Sequence, residues 1–241
     1  MADANHFDTD VAATYDKDHR DAALDEVVDG VFNLANGGDA LEFAVGTGRI
    51  ALPLAARGCR VAGIELSSAM VEQLRRKETA TPMKVVLGDM TNARVDGEFS
   101  LVFLVFNTID NLLTQDDQVA CFQNAADHLQ PGGRFAIETL VPPIQRLPHG
   151  ETLLAFANGS DHMGTDEFDV VTQNYSSHHI RRQGDTLRHN KVPFRYAWPA
   201  EFDLMARLAW LTLESRGAGW DKAPVTNTSR SHVSGWRKAS D

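Results

Sequence analysis

The sequence predicts an α/β fold, a doubly wound parallel sheet with an antiparallel insertion late in the chain, from three observations. Strongly apolar runs alternate with segments of helical period, the turns between them are short, and the rhythm changes after Val141. The apolar, β-rich runs fall at 40–45, 60–65, 84–87, 100–106 and 134–141. Most are apolar throughout instead of alternating, as expected of parallel strands covered on both faces. Strand–helix alternation joined by short turns is the signature of a doubly wound sheet.

Each element has a local cause. Leu24, Val27, Val28 and Val31 follow i, i+3, i+4, i+7 and predict a helix ahead of the first strand. Ser67 or Ser68 can cap a helix whose last turn, Arg75-Arg76-Lys77, complements the negative end of its dipole. Thr114 and Asp117 form a cap for a helix carrying Phe122, Ala125, Ala126 and Leu129, which Pro131-Gly132-Gly133 should stop. After Pro142-Pro143, short candidate strands at 152–157, 168–175 and 187–197 read as an antiparallel cap on the sheet. Pro199 suits the first position of a helix over 199–214, with Phe202, Met205, Leu208 and Ala209 as its apolar stripe, and 232–238 reads as a closing strand. The expected organisation is one domain over 1–241. Within it lie an N-terminal helical segment (1–36), a core (37–141), the insertion (142–198), too short for a core of its own, and a closing helix and strand (199–241).

Composition narrows the function classes. The chain has 241 residues, 43% hydrophobic and 23% charged, which excludes wholesale disorder. No apolar run approaches the roughly 20 residues of a membrane span. The N-terminus lacks the basic and apolar stretches of an export signal, and Cys59 and Cys121 lack metal-ligand spacing. A cytoplasmic protein with two reduced thiols and no metal is expected. The net charge of −10 argues against a nucleic-acid partner, and the first 30 residues hold nine Asp/Glu against Lys17 and Arg20. A homodimer is compatible with all of this.

The chemical signal lies at 41–51, where a strand runs through Glu42, Ala44, Gly46 and Gly48 into a helix. Glycines there allow a tight turn and close approach of a ligand to exposed N–H groups. Gly46-x-Gly48-x-x-Ala51 alone also satisfies a dinucleotide fingerprint, with Glu65 placed for a ribose. Three features favour a different nucleotide-like ligand. Glu42 interrupts the strand with a carboxylate, Asp89 and Met90 after the third run suit an adenine amine and ring, and the fourth run ends in Phe106-Asn107.

In these motifs the sequence resembles the class I S-adenosylmethionine-dependent methyltransferases, over roughly 10–140 and again from Pro199 to Lys238. The resemblance implies a seven-stranded Rossmann-like sheet with an antiparallel last strand, and S-adenosyl-L-methionine as cofactor with S-adenosyl-L-homocysteine as product. It assigns Glu42, Ala44 (where a glycine is commonest), Gly46, Gly48 and Arg49 to the first cofactor motif. Glu65 and Leu66 fall to the ribose, Asp89 and Met90 to the adenine, and Phe106 and Asn107 to the strand-four contact. The compact chain with a mid-length insertion looks like enzymes that methylate small molecules, amino-sugar nitrogens among them. Tyr15 matches an N-terminal tyrosine near their methyl site. Asn111 stands where some sugar N-methyltransferases carry a histidine or tyrosine, and an amide is no general base.

The expected activity is therefore in-line methyl transfer to a nucleophilic N or O of a small molecule, in which alignment matters most and a base only if the nucleophile arrives protonated. Tyr15, Asn111 and His178 are the candidate catalytic residues. Arg20 is a candidate for the cofactor carboxylate. Glu138, His179, Arg181, Arg195, Tyr196 and Trp198 are further candidates for the substrate side. His178 and His179 are adjacent on a predicted strand, so at most one faces a pocket. The alternatives are a nicotinamide-dependent oxidoreductase and a non-catalytic cofactor-binding protein.

Overall fold

The structure is a computed structural model that describes residues 9–18, 24–78 and 82–240. Two helices come first, α1 (Thr9–Asp18) and α2 (Leu24–Ala35). Strands and helices then alternate: β1 (Ala40–Phe43), α3 (Ala51–Ala56), β2 (Val61–Glu65), α4 (Ser68–Lys77), β3 (Lys84–Leu87), β4 (Phe99–Leu104), α5 (Gln115–His128) and β5 (Leu129–Leu140). Four strands follow, β6 (Leu153–Asn158), β7 (His162–Phe168), β8 (Asn174–Gln183) and β9 (Thr186–Arg195). The chain closes with α6 (Pro199–Leu208), β10 (Leu211–Gly217) and β11 (Ser231–Lys238).

The seven-stranded sheet has the order β10-β11-β5-β4-β1-β2-β3. β11 runs antiparallel to both its neighbours, and the β1, β2, β3, β4 and β5 pairings are parallel. Period-two alternation gives the central strands β1, β4 and β5 two buried faces. Leu41, Phe43, Val102, Leu104, Phe135 and Trp236 pack with α5 and α6, whereas Ala40, Leu101, Phe103 and Ala136 pack with α2 and α3. This two-sided burial is why the strands read as continuous apolar runs. The caps are local: Ser67 accepts from the Met70 N–H at 3.3 Å, and Thr114 accepts from the Asp117 N–H at 3.0 Å. α3 ends in a Schellman pair, Gly58 N–H to Ala55 and Cys59 N–H to Leu54, with Gly58 at φ +88°.

Four expectations need correction. The helix from Thr114 ends at His128, not at Pro131, and Leu129 already pairs with Phe99 as the start of β5. The expected strand at 168–175 is the turn between β7 and β8, since Phe168 and Tyr175 face each other across a hairpin. The insertion is a separate four-stranded antiparallel sheet, β6-β7-β8-β9, with one more strand than expected. The helix from Pro199 stops at Leu208, where Trp210 takes a left-handed φ of 57° and turns the chain into β10. Among the described residues no helix is long and apolar enough to cross a membrane.

One packing contact yields a stability prediction. Gly30 lies inside α2, and a Cβ there would sit 2.1 Å from Cε3 of Trp220. An exposed Gly→Ala change in a helix stabilises by about 1 kcal/mol, but here the methyl overlaps the indole. Gly30→Ala should therefore destabilise by about 1–3 kcal/mol. In a Trp220→Ala background the same change should become stabilising, and chemical denaturation of the four proteins checks the sign reversal.

Candidate functional site

Strand order reverses between β1 and β4: β2 and β3 lie on one side of β1, and β5 lies beyond β4. At such a switch point the chains leaving the two strands diverge and open a crevice at the carboxyl ends. A narrow cleft lies there. Its floor is Phe43 to Thr47 after β1, and its opposite wall is Val105, Phe106 and Thr108 after β4. Tyr15, Glu42, Arg49 and Ile50 complete the lining.

The exit of β1 is held by carboxylates. Glu42 is 3% exposed, and its carboxyl accepts from the Ala51 N–H at the start of α3. Its Oε2 is buried with no hydrogen-bond partner. Burial pushes the Glu42 carboxyl well above the usual range; the charge of Glu65 adds to this, while the Ala51 N–H and Arg49 oppose it. Glu65, at the end of β2, accepts from the Gly46 N–H with Oε2 and from the Ser67 N–H with Oε1, both at 2.8 Å. Burial raises its pKa too, against those backbone donors. Ala44 has φ +52° and Gly46 φ +55°. The left-handed turn therefore begins at a residue with a Cβ, which costs on the order of 1 kcal/mol.

The exit of β4 is held in the same way. Glu138 of β5 accepts from the Phe106 N–H with Oε2 and from the Asn107 N–H with its carbonyl, both at 3.2 Å. Phe106 and Asn107 are both left-handed, at φ 56° and 58°. This bond is the partner that a carboxylate in β5 requires. Above the cleft, α1 is fixed by Asp16, which accepts from the Thr47 hydroxyl and pairs with Lys77 at 2.6 Å. Tyr15 is thereby brought to the lining. The Arg49 guanidinium stands 4.2 Å over the Phe106 ring and 6.0 Å from the Tyr15 ring, linking α1 to both walls.

The structure brings Tyr15, Glu42, Ala44, Gly46, Arg49 and Phe106 together in one cleft, with Glu65 bonded into its turn. Gly48, at φ +79°, carries the turn onward to α3. Asp89 and Met90 follow β3; Asp89 Oδ1 accepts from the Thr91 N–H at 2.8 Å, and Met90 is buried. Leu66 is exposed after β2, and Asn107 is exposed beside the cleft wall. Asn111 donates to the Thr108 carbonyl at 3.1 Å and is not among the lining residues. His178 is not brought to the cleft: it lies on the face of β8 opposite Tyr175, 3.0 Å from His189 and 3.4 Å from Glu167. Arg195 is buried against Glu201, Gln118 and Gln173, a structural network instead of an anion site. Tyr196 is buried and Trp198 precedes α6, both in the aromatic cluster under the second sheet. Arg181 is exposed. Arg20 lies outside the described residues.

Sequence reasoning missed Thr47, Thr108 and above all Asp110. Asp110 is 1% exposed on the short 3-10 helix Thr108–Asn111, directly after the cleft wall. It accepts from Thr139 of β5 and Tyr175 of β8, both at 3.3 Å, so it ties the four-stranded sheet to the core. Burial raises its carboxyl to about 7, against these two hydroxyls and the charge of Arg195.

Residues 40–133 match the family model described as a methyltransferase domain. The chain is 27% identical over 198 residues to the cypemycin N-terminal methyltransferase of a Streptomyces species, covering 81% of each. Among solved structures it is similar to the CcbJ methyltransferase of Streptomyces caelestis, with a TM-score of 0.85 at 36% identity, over 95% of this chain and 96% of that one. It shares its fold with S-adenosylmethionine-bound CalS10, an amino pentose methyltransferase from Micromonospora echinaspora (TM-score 0.68, 18% identity, 99% and 100% covered).

Asp110 makes stability depend on pH. Folded, it keeps its proton to about pH 7; its ordinary value is 3.8. Between those values the folded state holds more protons than the unfolded one, so this group's contribution falls as pH rises through the window and is level above it. Asp110→Asn should match the wild type near the bottom of the window and gain on it by up to about 1.4 kcal/mol per pH unit toward the top. Denaturant unfolding of both proteins across that range measures the difference, and a difference that does not grow with pH would refute the assignment.

Proposed function

The chain belongs to the class I S-adenosylmethionine-dependent methyltransferases, and on that premise we propose that it methylates an amine of a small molecule at the cleft between β1 and β4. The observation that carries this reading is the buried Glu42 Oε2, unpartnered at the cleft, with the buried Glu65 bonded into the glycine turn beside it. Burial disfavours the charged form of both carboxyls, and the charge of Glu65 adds to this at Glu42, so a cation entering there would stabilise them. S-adenosylmethionine carries an ammonium and a sulfonium, so the chemistry of the donor set fits it. When bound, it supplies a methyl group already activated for displacement.

The residues divide the work. Glu42 and the Gly46–Gly48 backbone would hold the methionine end. Glu65 would hold the ribose with the lone pairs left after its two backbone bonds, since each carboxylate oxygen accepts more than one donor. Asp89 and Met90 would take the adenine, and Phe106 and Asn107 present the backbone that faces the cofactor. Tyr15 and Arg49 cover the opening and exclude water from the methyl site. An amine needs only its unprotonated fraction to be aligned, whereas a hydroxyl needs a base within hydrogen-bond reach. The lining offers a phenol, a guanidinium, two threonine hydroxyls and a buried carboxyl, without an imidazole. The cypemycin and amino pentose enzymes, both named for amine-bearing acceptors, support the same choice. We also place the protein in the cytoplasm, where the buried thiols of Cys59 and Cys121 stay reduced.

Calorimetric titration with S-adenosylmethionine and S-adenosylhomocysteine, with NADH as control, tests the site. Both sulfur compounds should bind and NADH should not. Asp89→Ala should weaken both by about tenfold, the cost of one charge-assisted hydrogen bond. NADH binding without a response to either sulfur compound would overturn the proposal.

A further inference from the structure

The helix over the cleft is held by polar ties more than by packing. Among the described side chains of α1, Ala12 alone is buried, whereas α2 buries Val27, Val28, Val31 and Ala35. A helix of ten residues has little stability of its own in water, so its place depends on bonds to the rest of the fold. Asp16 supplies two of them with one carboxylate. Its Oδ1 accepts from the Thr47 hydroxyl, and its Oδ2 accepts from Lys77 Nζ at 2.6 Å.

Both partners of Asp16 belong to the frame of the cleft. Thr47 stands between Gly46 and Gly48, is 2% exposed and lines the cleft. Lys77 closes α4, and the N-cap of that helix, Ser67, donates its N–H to Glu65, which also accepts from Gly46. One carboxylate thus fastens α1 to the turn after β1 and to the helix after β2. Tyr15, the preceding residue, lines the cleft and faces the Arg49 guanidinium at 6.0 Å. The ion pair is partly open to water, with 35% of the Lys77 side chain and 45% of the Asp16 side chain exposed. Pairs of this kind are individually weak and screened by salt, as suits a fastening that thermal motion must release.

We propose that Asp16 latches α1 over the cleft, and that the cofactor enters and leaves when its bonds to Thr47 and Lys77 break. This rests on the methyl-transfer reading above and extends it to the exchange of S-adenosylmethionine for S-adenosylhomocysteine. Asp16 is a positioning residue: it is not among the residues lining the cleft, and it acts by placing Tyr15. A latch and a ligand contact differ in their kinetics. Losing a contact speeds dissociation alone. Losing a latch raises the open fraction of free and bound protein alike, so association and dissociation both accelerate and Kd changes little. S-adenosylhomocysteine is a zwitterion without net charge near neutral pH, so salt acts on the latch more than on the encounter.

Surface plasmon resonance of S-adenosylhomocysteine on the immobilised full chain reads both rate constants. In Asp16→Ala both should rise about three- to tenfold, the span of one hydrogen bond, with Kd held within about twofold. Asp16→Asn keeps an acceptor for Thr47 and loses the charge, so its rates should fall between those of the wild type and Asp16→Ala. Raising salt from about 0.05 to about 1 M should accelerate exchange in the wild type and leave Asp16→Asn unmoved. A merely structural role in α1 would not give that salt response. Faster dissociation without faster association in the variants overturns the latch and makes Asp16 one of the ligand's own contacts. Equal rates in all three proteins overturn it too. The wild type alone decides the matter if a variant fails to fold: exchange rates that ignore salt rule the latch out. Failure of S-adenosylhomocysteine to bind the wild type would instead sink the methyl-transfer reading, and the latch with it.

Discussion

The site depends on a device used twice: a carboxylate from the neighbouring strand clamps the backbone where a central strand ends. Glu65 of β2 accepts from Gly46 after β1, and Glu138 of β5 accepts from Phe106 after β4. Both exits are in left-handed conformations, and three of the residues involved, Ala44, Phe106 and Asn107, carry a Cβ. Such residues cost on the order of 1 kcal/mol each, and they persist where the surroundings over-determine them. The two clamps provide that over-determination. Together they fix the two walls of the crevice at the switch point. The strain is thus concentrated where a cofactor would be bound, and the strands on either side remain regular.

The second sheet is attached to this frame by polar groups as much as by apolar packing. Asp110 gathers Thr139 and Tyr175, and Arg195 gathers Gln118, Gln173 and Glu201, so each polar cluster links the sheet to the helix or strand beside the cleft. Around them Phe168, Tyr175 and Tyr196 form a small aromatic cluster that Ile144 and Leu147 cover. Buried polar bonds are directional where apolar contacts are not. They therefore set the angle and register at which the sheet meets the cleft wall, and burial alone would leave both loose. In the outer half of β9 the residues from Thr186 to Lys191 are exposed.

The parallel core was legible because its causes are local or periodic. Two-faced burial makes continuous apolar runs, and Ser67 and Thr114 cap their own helices within three residues. β10 was not legible, because the helical spacing of Phe202, Met205 and Ala209 continues without a glycine or proline to end it. The stop is made by Trp210 in a left-handed conformation that residue type does not announce. In the same way Gly46, Gly48, Glu42 and Glu65 could be found from one short motif and its downstream acid. Asp110 and Thr47 act through partners 65 and 31 residues away, and nothing near them in sequence marks those partners. Alternation showed that only one of His178 and His179 could face inward; the register with Asp166 shows that it is His179.

The carboxyls at the glycine turn and beside the second sheet are accommodated in different ways. At the glycine turn, burial raises the cost of ionising Glu42 and Glu65, and the charge of Glu65 adds to it at Glu42, a cost that a sulfonium and an ammonium would lower. Along the second sheet, Asp110 instead accepts from the hydroxyls of Thr139 and Tyr175. A cation would therefore be favoured at the glycine turn, beside the unpartnered Oε2 of Glu42.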